Sequence, residues 1–194
     1  MKRILLVTGD GAEAMEVMYP YQRLTEEGYQ VEIAAPSMKI VRSVVHDFEP
    51  EWDTYTEKPA YRIQPHLAFA EVNANDYEAL VIPGGRAPEH IRYNEALQNI
   101  VRSFFADHKP VAAICHAGQI LAAAGVAKGR TMTAFPMIRS EVNNAGAKYV
   151  DREVVVDENL VTSRAWPDHP AFMREFMKIL QEAEQQAPRV RATA

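Results

Sequence analysis

The chain has 194 residues, 47% hydrophobic and 24% charged, a length and balance that suit one globular domain with a sizeable core and leave little room for two. Its formal net charge of −5 offers no basic field to nucleic acid or to an anionic membrane surface, and its apolar runs are too short to cross a bilayer. A single cysteine, Cys115, excludes an internal disulfide. Neither C-x-x-C nor H-E-x-x-H is present, so no metal is expected and a reducing cytoplasm is the expected compartment.

The opening "MKRILLVTGDG" places two positive charges before a short apolar run, but the run meets Gly-Asp-Gly instead of a cleavage site and reads as a first strand over 3–7. The stretch from Gly9 through Gly11 to Ala14 formally matches the dinucleotide fingerprint G-x-G-x-x-A. Asp10, Glu13 and Glu16 would put carboxylates where a pyrophosphate must sit, however, and the second strand, 31–35, ends in Ala-Pro-Ser with no acid to hold a ribose. A plain strand-to-helix turn explains the glycines, and no cofactor is expected. "AMEVMYPYQRLTEEG" repeats apolar residues at three- and four-residue spacing and stops at Gly28, which predicts a helix. The region 37–76 breaks the rhythm with aromatics, prolines and charges, and predicts a β-hairpin excursion lying over the domain.

Beyond it, "EALVIPGG" (78–85) predicts a strand ending in a turn. A helix follows from Asn94 as N-cap, with Leu97, Ile100, Val101, Phe104 and Phe105 on one side. "PVAAIC" (110–115), "EVVVD" and "NLVTS" predict three more strands. A closing helix is expected after Asp168 as N-cap, with Phe172, Phe176, Ile179 and Leu180 inward. Alternating strands and helices imply an α/β fold, a mostly parallel sheet in a three-layer α/β/α sandwich. The domain is expected over 1–187, with 188–194 as a frayed tail.

Cys115 stands where an apolar strand meets a helix rich in small residues, directly before His116. A lone cysteine in an apolar run is commonly a packed core residue. At a sharp strand-to-helix turn it is also placed as the nucleophile of α/β enzymes is placed, with the helix N-terminus favouring thiolate over thiol. His116 reads as a proton carrier or as an ordinary capping histidine. Glu16 reads as a solvated helix charge. Alternatively, among Met15, Val17, Met18 and Tyr19, it is a buried carboxyl that keeps its proton and donates to the sulfur. The N–H groups of Gly85 and His116 would make an oxyanion hole, unless Pro-Gly-Gly is an ordinary turn.

Four stretches, "EVMYPYQRL", "EALVIPGGRAPE", "PVAAICHAGQILAAAGV" and "AFMREFMKIL", together resemble the PfpI/ThiJ superfamily over nearly the whole chain. That superfamily includes intracellular protease I proteins, glutathione-independent glyoxalases and the Parkinson's-associated deglycase. "VHDFE…TYTEKP" and "SRAWPDHPAF" are most similar to the plant glyoxalase-type branch and its single-domain microbial relatives. The resemblance implies a flavodoxin-like sandwich with Cys115 as nucleophile on a strained elbow, a protonated Glu16 holding it as thiolate, and His116 moving protons. It also implies that Glu89 reaches across a subunit interface to orient the histidine, so that the protein is a homo-oligomer, a dimer, trimer or hexamer. Trp166 and His169 fall where the glyoxalase-like branch lines its pocket, with loop packing as the other reading. Many relatives read Cys-His-Gly where this chain reads Cys-His-Ala-Gly. A class I glutamine amidotransferase has a similar elbow but requires an H-x-E pair, which none of the six histidines supplies.

The expected activity is that of a cofactor-independent cysteine-nucleophile enzyme acting on small 2-oxoaldehydes, of the glyoxalase III or deglycase type, turning methylglyoxal into lactate. The alternatives are an intracellular cysteine protease or amidase, and a non-enzymatic oxidative-stress sensor or chaperone in which Cys115 cycles through sulfenic or sulfinic acid. The expected partner is a small carbonyl compound, with neither nucleic acid nor membrane.

Overall fold

Each long apolar run becomes a strand of one sheet, most of them buried on both faces and the "EVVVD" run forming a partly exposed edge, and the segments between them coil back over the sheet. The computed structural model describes residues 2–186. In chain order these form β1 (Arg3–Val7), α1 (Ala14–Glu26), β2 (Gln30–Ala35), β3 (Val41–Asp47), β4 (Thr56–Ile63), β5 (Leu67–Ala68), β6 (Ala79–Ile82), α2 (Ala87–Ile91), α3 (Glu95–Ala106) and β7 (Val111–Ile114). They continue with α4 (Gly118–Ala123), β8 (Thr131–Met132), α5 (Arg139–Asn144), β9 (Lys148–Tyr149), β10 (Val154–Asp157), β11 (Leu160–Ser163) and α6 (His169–Gln186).

Seven strands make the main sheet in the order β10-β11-β7-β6-β1-β2-β5, all parallel except β10, which runs against β11. The pairing register lines up Ile33, Leu6, Val81, Ala112 and Val161 across five strands. Because side chains alternate along a strand, this whole row faces one side. There it packs on Val17 and Leu24 of α1 and on Phe172, Phe176 and Leu180 of α6. The alternate residues Leu5, Val7, Leu80, Ile82, Val111 and Ala113 face the other side, against Leu97, Ile100, Val101 and Phe104 of α3 and Ile120 and Leu121 of α4. The result is the expected flavodoxin-like α/β sandwich. The Asn94 side chain accepts from the Leu97 amide at 3.1 Å, as an N-cap does.

The hairpin of β3 and β4 stands outside the main sheet, with a register shift between Arg42 and Val44. Backbone bonds from Gly11 N to Arg42 O and from Val44 N to Ala12 O, both 2.9 Å, fasten its base beside β1. The region 37–76 holds more than a hairpin. It returns as β5 to add an edge strand to β2, then makes 3-10 turns at Phe69–Glu71 and Ala74–Asp76. A second small sheet, β8 with β9, also went unforeseen, since two-residue strands carry no readable period. The closing helix begins directly after Asp168, as expected; Asp168 also closes a 3-10 turn, Trp166–Asp168, and its carboxylate takes the Arg164 guanidinium at 2.8 and 3.1 Å. The expected tail, 188–194, lies outside the described residues. No helix among the described residues is long and apolar enough to cross a membrane.

Phe104 is fully buried between α3 and the sheet. Phe104→Ala is expected to cost about 3–5 kcal/mol of unfolding free energy, read as a fall in the urea midpoint with little change in slope.

Candidate active site

Strand β7 is buried throughout, and the chain turns sharply at its end. Cys115 has φ of 61°, in the left-handed region that a side chain disfavours by about 1–2 kcal/mol. The residues Cys115–Ala117 form a 3-10 turn before α4. This conformation directs the side chain back toward β6 and α1 instead of continuing the alternation of the strand. The sulfur is not held out at the sheet edge: Cys115 is 3% exposed. Its Sγ lies 3.3 Å from Nδ1 of His116.

Glu16, in the first turn of α1, is fully buried. Its Oε2 accepts the Gly84 amide at 2.8 Å. Residue 84 must lack a side chain, because a Cβ there would stand 2.7 Å from Glu16 Oε2 and 2.9 Å from the His116 nitrogen, and closer still to the Cβ of Cys115. Gly85 has φ of 72° and bridges to Ala12, so this turn also depends on a backbone that side chains disfavour.

Burial, reinforced by the charge of Glu13, pushes the Glu16 carboxyl up to about 8. Glu16 therefore keeps its proton at neutral pH. Glu13 is itself buried; one oxygen caps α1 by accepting the Met15 amide at 3.1 Å and the other accepts the His46 amide at 3.2 Å. Burial also pushes the Cys115 thiol up, and negative charge on Glu16 would push it further, while the amides of Gly85 and His116 draw it down. Burial thus favours the thiol form of the sulfur, beside a neutral acid, and works against the thiolate expected from the sequence. The reason is that desolvation outweighs the field of a short turn and the six-residue α4. Burial moves His116 below the ordinary histidine value of 6.5, so its ring is neutral and able to accept a proton.

The walls come from residues that the sequence did not single out. Phe135 stacks on His116 with ring centres 5.0 Å apart, and Tyr55 meets Phe135 edge-on at 5.8 Å. His46 lies 4.6 Å from Tyr55 and 6.3 Å from Trp166, which stacks on Phe48 at 5.3 Å. Burial raises the pKa of Tyr55, and negative charge on the nearby Cys115 would raise it further. His46, Phe48 and Tyr55 arrive on the hairpin and Phe135 after β8; the aromatic density of 37–76 and the stretch "VHDFE…TYTEKP" were the trace of the first three in the sequence, and Phe135 left none.

Trp166 therefore joins the enclosure. His169 does not: it is 3% exposed and stacks on Tyr19, one turn along α1 from Glu16, at 5.0 Å. No hydrogen bond or ring contact joins it to Cys115 or His116, and burial lowers its pKa to about 4. Glu89 is exposed and lines a separate cleft with Asp10, Lys39, Arg86 and His90. Its charge supports protonation of His116 without a hydrogen bond between them. Among the described residues no three His, Cys, Asp or Glu side chains converge as metal ligands. At the Gly9–Gly11 turn the Asp10 carboxylate accepts from Lys39 Nζ at 2.6 Å and from the Arg42 amide at 2.9 Å.

Gly84→Ala should displace the sulfur from its acid and lower turnover by about a hundredfold or more, while circular dichroism stays native. For Glu16 the folded pKa lies above the unfolded one, so the folded state binds the extra proton and the stability this carries is lost as pH rises through the folded value. The unfolding free energy of the wild type relative to Glu16→Gln should fall between about pH 5 and pH 8, as measured by denaturant titration.

The sequence profile of the DJ-1/PfpI family matches residues 2–179. A protein of Pyrococcus abyssi named a deglycase is 46% identical over 178 residues, covering 92% of this chain and 99% of its own. Protein DJ-1 homolog D of Arabidopsis thaliana is 44% identical over 186 residues; the match covers 92% of this chain and 48% of that protein, about half its length. Among solved structures, a two-domain protein of Anabaena variabilis with DJ-1/ThiJ/PfpI-like and ferritin-like domains superposes with a TM-score of 0.84 at 28% identity, covering 93% of this chain and 48% of that one. With a family match that spans the elbow, the acid and both faces of the sheet, this chain belongs to the DJ-1/PfpI family.

Proposed function

We propose that this protein is a cofactor-independent enzyme that converts small 2-oxoaldehydes to 2-hydroxy acids, with Cys115 as nucleophile, His116 as proton carrier and Glu16 as a neutral acid. The observation that carries the reading is the contact of a buried thiol with a neutral imidazole at 3.3 Å, beside a carboxyl that keeps its proton. The name of the Pyrococcus abyssi relative, a deglycase, supports chemistry at a carbonyl carbon. A sulfur only 3% exposed beneath aromatic rings favours a small substrate over an extended peptide.

The thiol sulfur attacks the aldehyde carbon as its proton passes to His116 Nδ1, forming a C–S bond and a hemithioacetal oxyanion. The amides of Gly85 and His116, which already favour negative charge on the sulfur, provide donors for that oxygen. The proton on the former aldehyde carbon then moves by way of an enediol to the adjacent carbon, leaving a 2-hydroxyacyl thioester. Water cleaves the thioester and restores the thiol. The net change is addition of one water to methylglyoxal to give lactate, with no oxidant or reductant. Assembly as a homo-oligomer belongs to this reading, with the exposed Glu89 placed to support protonated His116.

Purified protein incubated with methylglyoxal after chelation should yield lactate, and an absence of lactate above a Cys115→Ser control would remove the reading. Activity requires neutral His116 and protonated Glu16. The kcat/KM profile should therefore fall on the acid side below the ordinary histidine range and on the alkaline side near 8, with the alkaline limb lost in Glu16→Gln.

A further inference from the structure

Arg86 follows directly on Gly84 and Gly85, whose backbone lines the contact between Cys115 and Glu16. Its Nε and Nη2 donate to the Glu57 carboxylate at 2.8 and 2.6 Å, a two-point pairing that sets orientation as well as distance. Glu57, on β4, stands directly across the ladder from His46 on β3, and its Oε2 lies 3.0 Å from His46 Nε2. His46 is 5% exposed, and its amide is held by Glu13, the residue that caps α1. One carboxylate thus ties both hairpin strands to the loop that carries the site glycines.

The base of the hairpin is fastened by backbone bonds at residues 11–12 and 42–44. The outer part beyond His46 carries Phe48 and Tyr55, the rings that meet Trp166 and Phe135. Those ring contacts alone leave the outer hairpin free to slide, since stacked and edge-on pairs tolerate displacement. The Arg86–Glu57–His46 link supplies the directional constraint.

The geometry points to Arg86, Glu57 and His46 as a clasp that determines which compounds reach Cys115, by holding Phe48 and Tyr55 down over the site so that only small carbonyl compounds are admitted. This rests on the reading of Cys115 as the reacting group. Arg86 and Glu57 act as positioning residues, and the rings do the excluding. Arg86 holds the Glu57 carboxyl down to about 2, so the Arg86–Glu57 pair is charged across the working pH range. The side chains of Arg86 and Glu57 are 55% and 29% exposed, so salt weakens the link.

Because Cys115 is the sole thiol of the chain, its alkylation reads access directly. The rate constants for iodoacetamide and for the much bulkier pyrenylmaleimide are compared at fixed pH on full-length protein. The bulky-to-small ratio is expected to rise about fivefold in Arg86→Ala and in Glu57→Gln. Arg86→Lys, which keeps the charge and loses the fork, should fall between these variants and the wild type. High salt should raise the ratio in the wild type and leave Arg86→Ala unchanged. An unchanged ratio in both variants, or a parallel rise of both rates that signals general loosening, would overturn the clasp. The readout needs no turnover, so failure to form lactate in the wild type would remove the proposed function and leave this test intact.

Discussion

Bringing a thiol and a carboxyl together away from water costs both groups their hydration, and they stay together here because the surrounding backbone leaves them no alternative. Cys115 is turned inward by its left-handed φ at the end of β7, a strand hydrogen-bonded on both sides by β6 and β11. Glu16 is carried in from the opposite side by α1, whose first turn is capped by Glu13. Gly84 packs against both, too close for any side chain, and donates its amide to the acid. A strain of about 1–2 kcal/mol at one residue is tolerable because the strand that bears it is locked into the middle of a seven-stranded sheet.

From this contact follows the charge state of the whole site. Glu13 spends its two oxygens on the amides of Met15 and His46, and its charge helps Glu16 retain a proton. The same burial that protects the neutral acid raises the thiol and lowers His116. Burial therefore favours the neutral forms of acid, thiol and imidazole alike, and in the proposed reaction charge develops as a proton crosses from sulfur to nitrogen. A water-poor site built this way strengthens each electrostatic interaction at the moment charge appears.

The sheet and the hairpin divide the work. The sheet, with α1 and the turn at Gly84–Gly85, sets the positions of sulfur, acid and imidazole. The hairpin, with Trp166 and Phe135, sets what surrounds them. His169, although it lies three residues from Trp166, belongs to the packing of α6 against Tyr19, a distinction that linear proximity does not reveal.

Strands β1, β2, β6, β7, β10 and β11 and helices α1, α3 and α6 were legible in the sequence because each is specified locally, by a continuous apolar run or a 3.6-residue stripe with turn residues at its ends. Glu16, Cys115, His116 and the glycine turn were legible for the same reason: the carboxyl ends of parallel strands share one edge, so residues just past them are brought together by topology alone. Only the tertiary structure decided the two-residue strands, the carboxylate–guanidinium pairing that occupies Asp168, and the enclosure made by His46, Phe48, Tyr55 and Phe135. It alone decided the protonation of the site as well. A sequence names a cysteine and the helix after it, but whether the sulfur rests as thiolate or thiol depends on how much water reaches it. That is settled by the chain segments folded over it, many of them tens of residues away.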